Sequence, residues 1–245
     1  MALPPVTRVT VAKTVEEAPG IKSVYITYDK NVIKFQAGQS FTLYPGYPDE
    51  PNLSHPFSNA SSPTEDFLLF TTRIREESAF KQRMNKLQAG DEVGILGPGP
   101  PKYVLPEETS KDIVFLGGGI GITPFRSMAK FSTDSNSGHR ITLLYSSKTP
   151  QEIIYRTLWE DLEKTNTNLK VVHTITRAED HAAWHGLTGR IDDNLIRENV
   201  ENLNNTIFYI CGPPALVRAL NDLLSMMRIN VYDIKIESFS GYVAQ

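Results

Sequence analysis

The run Gly117-Gly118-Gly119-Ile120-Gly121-Ile122-Thr123-Pro124 stands directly between a continuous apolar stretch at 112–116 and an amphipathic stretch at 124–131. Glycine lets a backbone approach a ligand closely, and a helix start offers unpaired N–H groups and the positive end of its dipole. Pro124 suits a first helical turn, where its missing N–H is not needed. A strand–glycine turn–helix unit requires a parallel sheet around it, and the chain beyond residue 111 supplies one. Apolar strands are expected at 112–116, 140–145, 169–176, 206–210 and 231–236. They alternate with helices at 124–131, 150–163, 191–199 and 213–227, the second with Ile153, Ile154, Leu158 and Leu162 inward. Such alternation means a parallel sheet covered on both faces.

The residues before this region follow another rule. Segments 7–15, 21–28, 40–44, 67–72 and 92–96 are short, rich in Val, Ile, Thr, Phe and Tyr, and separated by Pro, Gly, Asp and Asn. Several such strands in succession predict a small antiparallel β-barrel. One helix is expected among them at 78–87, with Ser78 as its N-cap and Ala79, Phe80, Met84 and Leu87 at helical spacing. Gly97-Pro98-Gly99-Pro100-Pro101 and the polar stretch 106–111 then break the pattern. The expected architecture is two domains: an antiparallel β-barrel over 1–108, then a Rossmann-like α/β domain with a parallel sheet over 109–245.

Composition removes several functions. With 245 residues and 40% apolar content the chain can build a packed core. Lys plus Arg total 25 against 28 Asp plus Glu, so the formal charge of −3 gives no field for gripping nucleic acid or an anionic membrane. Apolar runs such as 113–116 fall far short of the roughly 20 residues that span a bilayer, so no membrane insertion is expected. The first residues lack the features of a signal peptide, and a cytoplasmic location is expected. Cys211 is the single cysteine, which leaves no internal disulfide and no thiol-built zinc or iron–sulfur site. No metal is expected either from His181-x-x-x-His185, which flanks Trp184 and Gly186 in a loop-like stretch. Ser61, Ser62 and Ser225 lack a base and an orienting acid, so a hydrolase is not indicated.

The glycine spacing departs from G-x-G-x-x-G, since the third glycine would fall on Ile122 or Pro124. The acidic residue that usually grips an NAD ribose is replaced by Ser146-Ser147-Lys148 after the second parallel strand. Hydroxyls and a cation suit a 2′-phosphate, which favours NADPH over NADH. A solvated loop is the alternative reading of these three residues. Trp184-x-Gly186-x-x-Gly189-Arg190 reads as a turn leading into the next helix.

Four ordered segments resemble the ferredoxin–NADP reductase-like flavoprotein superfamily. They are Leu53-Ser54-His55-Pro56-Phe57-Ser58, similar to that family's Arg-x-Tyr-Ser, then Glu77-Ser78-Ala79-Phe80-Lys81, the glycine turn, and Cys211-Gly212-Pro213-Pro214 with a late Glu237-Ser238-Phe239. The resemblance implies a flavin-binding barrel that holds FAD, followed by a domain that binds NADP or NAD. It implies that Ser58 hydrogen-bonds the flavin where hydride arrives, with Cys211 and Glu237 beside the reacting pair. His55, Pro56, Phe57, Thr72 and Arg73 would line the flavin, with Phe57 packing on it. Ser78, Ala79 and Phe80 would hold its pyrophosphate at a helix start. Gly117, Gly118, Gly119, Gly121, Thr123 and Pro124 would cradle the nicotinamide nucleotide, joined by Ser146, Ser147, Lys148, Gly212 and Pro213. Phe239 or Tyr242 would cover the other flavin face.

Two departures stand out. His55 occupies the place of a phosphate-clamping arginine, and histidine is charged only below about pH 6.5. A clamp made by His55 predicts FAD affinity that falls as pH rises past neutrality, unless Arg73 or Arg75 takes over. The chain also continues past Phe239 to Gln245, so a terminal tyrosine on the flavin is not expected. The implied function is an FAD-dependent NAD(P)H oxidoreductase passing electrons to a separate ferredoxin, flavodoxin or oxygenase component. The alternatives are a reductase of free flavin or quinone, a relay subunit of a larger redox complex, and a nucleotide-binding module without flavin.

Overall fold

Alternation in two strands decides how the lobes meet. In strand Ile21–Thr27 (β2), Val24 and Ile26 enter one apolar cluster, while Ile21 and Tyr25 enter or pack on another. Strand Phe67–Arg73 (β5) divides the same way, with Leu68 and Phe70 on the first side and Phe67 and Leu69 on the second. Period-two side chains thus give each strand two buried faces, one toward its own sheet's interior and one toward a second layer.

The computed structural model describes residues 6–178 and 183–239. Among them, β2 and β5 join Thr7–Ala18 (β1), Ser40–Tyr44 (β3), His55–Ser58 (β4) and Glu92–Leu96 (β6) in a sheet of order β4-β3-β6-β1-β2-β5. Every pairing in it is antiparallel. The sheet curls into a barrel, since Phe57 of β4 and Phe70 of β5, its two end strands, have ring centroids 6.2 Å apart. The short β4 carries Pro56 and was not expected as a strand. Helix Ala79–Lys86 (α1) begins at Ser78, whose side chain accepts from Lys81 N.

The second sheet contains Asp112–Gly118 (β7), Ile141–Ser147 (β8), Leu169–Ile175 (β9), Leu187–Thr188 (β10), Thr206–Gly212 (β11) and Ile234–Ser238 (β12). It is parallel throughout, in the order β10-β9-β8-β7-β11-β12. Helices Ile122–Asp134 (α2), Arg156–Thr165 (α3), Asp193–Asn199 (α4) and Pro214–Met226 (α5) cover it. In β7, Ile113 and Phe115 pack with Phe125 and Trp159 on one face, and Val114 and Leu116 with Leu220 and Leu224 on the other. The two-lobed architecture matches the expected fold class.

Three local expectations are corrected. The helix expected at 150–163 is a 3-10 turn at Pro150–Glu152 and then α3, broken at Tyr155, which has φ 59°. The break lets the Tyr155 hydroxyl reach Thr71 Oγ1 in the barrel, a tertiary contact that overrides helical periodicity. The strand expected at 231–236 starts only at Ile234, because Asn230 caps a 3-10 turn at Val231–Asp233 by accepting from Tyr232 N. Leu187–Thr188 is a short strand paired to β9 where a turn was expected.

Polar contacts fasten the lobes together. Arg126 of α2 grips Glu65 with two bonds of 2.8 and 2.9 Å and donates to Ala60 O at 2.7 Å. Ser127 donates to Ser61 O at 2.6 Å, and Tyr209 of β11 to Val104 O at 2.7 Å. Among the described residues no helix is long and apolar enough to cross a membrane.

Candidate active site

The parallel sheet places β8 on one side of β7 and β11 on the other, so the crossovers diverge there and leave a crevice beyond the strand ends. A cavity of about 560 Å³ opens at that point against β4 and β5 of the barrel, a size suited to a bound organic ligand.

On the α/β side, Gly118, Gly119, Gly121 and Thr123 line the cavity. Gly119 has φ +55°, a left-handed conformation that a side chain would strain. A Cβ on Gly121 would lie 2.1 Å from Cys211 O, so the turn fits against β11 only without a side chain. Tyr145 donates to Gly119 O at 3.0 Å and fixes the turn from below. Pro124 lies within the first turn of α2, buried rather than on the wall. Ser146, Ser147 and Lys148 line the cavity at the end of β8, as do Thr176 and Arg190. Bonds from Thr176 N to Ser147 O and from Arg177 N to Lys148 O hold that loop. Pro213 is on the wall, while Gly212 ends β11 beneath it.

On the barrel side, His55, Pro56, Phe57, Ser58, Thr72 and Arg73 all line the cavity. Phe57 is stacked on Phe80 at 5.6 Å, so Phe80 belongs to the barrel core and not to the wall. Ser78 is buried at the cap, and Ala79 is exposed beside it. Burial lowers the pKa of His55, with a smaller contribution from the Lys81 charge, so its imidazole is neutral at neutral pH. That removes the charge on which a histidine clamp depends. Arg73 is bound to Glu152 at 2.5 Å across the lobes, and Arg75 lies 3.8 Å from Glu77.

Lys81 lines the same wall, a placement that its position at the end of the Glu77–Lys81 motif does not reveal. Its ammonium sits 4.5 Å from the centre of the Phe57 ring and donates to Thr72 Oγ1. Burial, helped by the nearby Arg75, lowers its pKa to about 8. The available signal was position: Lys81 lies three residues past the N-cap, over the turn that starts α1.

At Ser58 the cavity wall is tied to the other lobe, while Cys211 and Glu237, expected beside the reacting pair, do not line the cavity themselves. Ser58 Oγ of β4 donates to Glu237 Oε2 of β12 at 3.1 Å. Burial raises the Glu237 pKa to about 7, and the Ser58 hydrogen bond opposes that rise only in part. Register places Cys211 opposite Gly117 on one side and Glu237 on the other. The Cys211 thiol is fully buried, and burial followed by the Glu237 charge pushes its pKa up, so it stays protonated. Phe239 lines the cavity, its N–H donating to Gly212 O at 3.0 Å. Tyr242 and His181 lie outside the described residues. Among those described, no three His, Cys, Asp or Glu side chains cluster as a metal site would require.

Residues 115–222 match the family model of the oxidoreductase NAD-binding domain. The phenol 2-monooxygenase reductase component DmpP of Pseudomonas sp. strain CF600 is 28% identical, over 95% of this chain and 65% of that protein. The flavohemoprotein of Bacillus subtilis is 28% identical, over 88% of this chain and 54% of its own length. The chain therefore spans between about half and two thirds of the length of these relatives. The crystal structure of a ferredoxin NADP+ reductase from Neisseria gonorrhoeae with bound FAD and NADP superposes with a TM-score of 0.79 at 23% identity. That match covers 95% of this chain and 98% of the other.

Proposed function

We propose, from the match of residues 115–222 to the oxidoreductase NAD-binding domain and a fold shared with a ferredoxin NADP+ reductase, that the chain is an FAD-dependent NAD(P)H reductase feeding a separate electron acceptor. In this reading the barrel lobe, residues 1–108, holds FAD and residues 109–245 hold the nicotinamide nucleotide. The carrying observation is the Ser58–Glu237 hydrogen bond, which ties a hydroxyl on the cavity wall to a carboxyl of the opposite lobe just outside that wall.

The residues present fit a flavin. Phe57 offers an aromatic wall, Phe239 approaches from the other lobe, and cations line the end near α1. When bound, FAD supplies an acceptor for the hydride of NAD(P)H and a donor of single electrons. Ser58 orients the ring edge at which hydride arrives, and Glu237 holds or takes a proton there through the Ser58 hydroxyl. Cys211, protonated and buried, packs beneath the nicotinamide and helps exclude water. The glycine turn carries the nucleotide pyrophosphate at the start of α2. Ser146, Ser147 and Lys148 face the adenosine end, where they favour a 2′-phosphate.

The acceptor is a small electron-transfer protein or an oxygenase component. The second is favoured by the likeness to a phenol 2-monooxygenase reductase component. A single buried thiol is in keeping with work in the reducing cytoplasm. Anaerobic titration of the FAD-loaded chain with NADPH and NADH, read as bleaching of flavin absorbance, tests the reading. Stoichiometric bleaching by one of the two is expected. Protein that stays colourless after soaking with FAD overturns it.

A further inference from the structure

A cation withdrawn from water is costly unless an anion compensates it, and Lys81 is such a cation. Desolvation and the Arg75 charge act on it, with no carboxylate among the described residues to offset them. The charged or titratable groups facing it are Arg75, from the segment after β5, and His55, from β4. Both Arg73 and Arg75 already have carboxylates beside them, Glu152 and Glu77. Among the described residues the surroundings of Lys81 therefore hold no anion, and Lys81 is on the cavity wall.

The neighbourhood narrows what that anion is. Lys81 Nζ lies 4.5 Å from the Phe57 ring centre and 5.5 Å from that of Phe80, so a ligand reaching it passes an aromatic surface. On the same turn, the N–H groups of Ala79 and Phe80 occupy first-turn positions that no intrahelical carbonyl can serve. Aromatic wall, ammonium and first-turn N–H groups together suit a planar ring joined to a phosphate chain.

We infer that Lys81 is the cation that anchors the phosphate groups of the flavin, in place of His55. The inference rests on the flavin reading above and goes beyond it by assigning the charge. Phosphate bound beside Lys81 favours its protonated form. Below the free pKa of about 8 the lysine already carries its proton, and affinity is flat with pH. Above that value binding must take up a proton, and affinity falls by up to about tenfold per pH unit. A histidine clamp would instead lose affinity through the range around 6.5 and below.

The test measures dissociation constants of FAD and riboflavin for the flavin-stripped chain by fluorescence. Lys81→Met is expected to weaken FAD about tenfold or more while changing riboflavin, which has no phosphate, less than about twofold. Lys81→Arg should restore most of the FAD affinity and remove its decline above about pH 8, because arginine stays protonated. An FAD constant unchanged in Lys81→Met overturns the assignment. So does equal weakening of FAD and riboflavin, which would mean that the residue shapes the pocket and does not hold phosphate. Failure of the unsubstituted chain to bind either flavin is a different result, and it removes the flavin reading itself.

Discussion

Ser58 Oγ donates to Glu237 Oε2 at 3.1 Å although 179 positions separate the two residues in the chain. The bond spans the crevice, so both partners are in place only when the lobes are docked. It also leaves Glu237 with a pKa raised by burial to about 7, inside the working range of an enzyme.

Glu237→Gln should therefore flatten the pH dependence of NAD(P)H-driven dye reduction around pH 7, with a rate loss of about tenfold or more. The same shift has a consequence for stability. A carboxyl whose folded pKa lies above its unfolded value of 4.5 contributes fully below 4.5, and the contribution fades as pH rises through about 7. Removing the titration should make Glu237→Gln relatively more stable than the parent at pH 8 than at pH 5. A difference of about 2–5 °C in melting temperature is expected from differential scanning fluorimetry. A pH profile unchanged by the substitution would separate Glu237 from the chemistry.

Gly121 is held by a steric argument. A methyl group there would meet Cys211 O at 2.1 Å, and that oxygen belongs to the β11 backbone, which cannot swing away as a side chain can. Gly121→Ala should cost about 1–3 kcal/mol in urea unfolding. It should also raise KM for the nicotinamide nucleotide more than it lowers kcat, because the turn moves while Ser58 and Glu237 stay in place. Unchanged stability and KM would show that the turn can open freely.

Much of this architecture is legible in the sequence. Val24 and Ile26 alternate with Tyr25 and Thr27 and lie in the strand expected of them, and Ser78 caps α1 as its position suggested. The glycine turn lies at the crevice because strand, glycines and helix follow one another without a gap. Other features depend on partners distant in sequence. Tyr155 breaks an apparent helix to reach Thr71, a contact invisible to periodicity. His55 looked like a cation because its type titrates near neutrality, but its charge depends on burial and on Lys81. Lys81 appears in the sequence only as the last residue of the Glu77–Lys81 motif, with no role of its own. Only the folded chain sets it against Phe57 and Thr72, with no carboxylate among the described residues to meet it.

The nucleotide preference is open to a direct charge reversal. Lys148 lies on the cavity wall at the end of β8, a wall that Arg190 also lines, and the backbone of its loop is held by Thr176 and Arg177. Lys148→Glu would set a carboxylate against a 2′-phosphate without disturbing those backbone bonds. The ratio of kcat/KM for NADPH to that for NADH should fall by about tenfold or more. Thermal stability should change little, since Lys148 is exposed. An unaltered ratio would place the 2′-phosphate away from this loop.

Arg126 carries the mechanical version of the same dependence on docking. Its guanidinium is nearly buried, holds both oxygens of Glu65, and reaches Ala60 O, so it ties α2 to the loop before β5. Its charge also lies 5.3 Å from the ring of Tyr155, which is bonded to Thr71 of the barrel. Arg126→Met leaves a carboxylate stranded in the interface, which typically costs about 3–5 kcal/mol. Adding Glu65→Leu removes the stranded charge and should recover most of that loss, because an apolar pair fills similar volume without the desolvation penalty. The lobes should also begin to part in Arg126→Met, giving unfolding curves by tryptophan fluorescence and by FAD release that no longer coincide. Coincident curves with a loss below about 1 kcal/mol would mean that the apolar contacts alone hold the crevice closed.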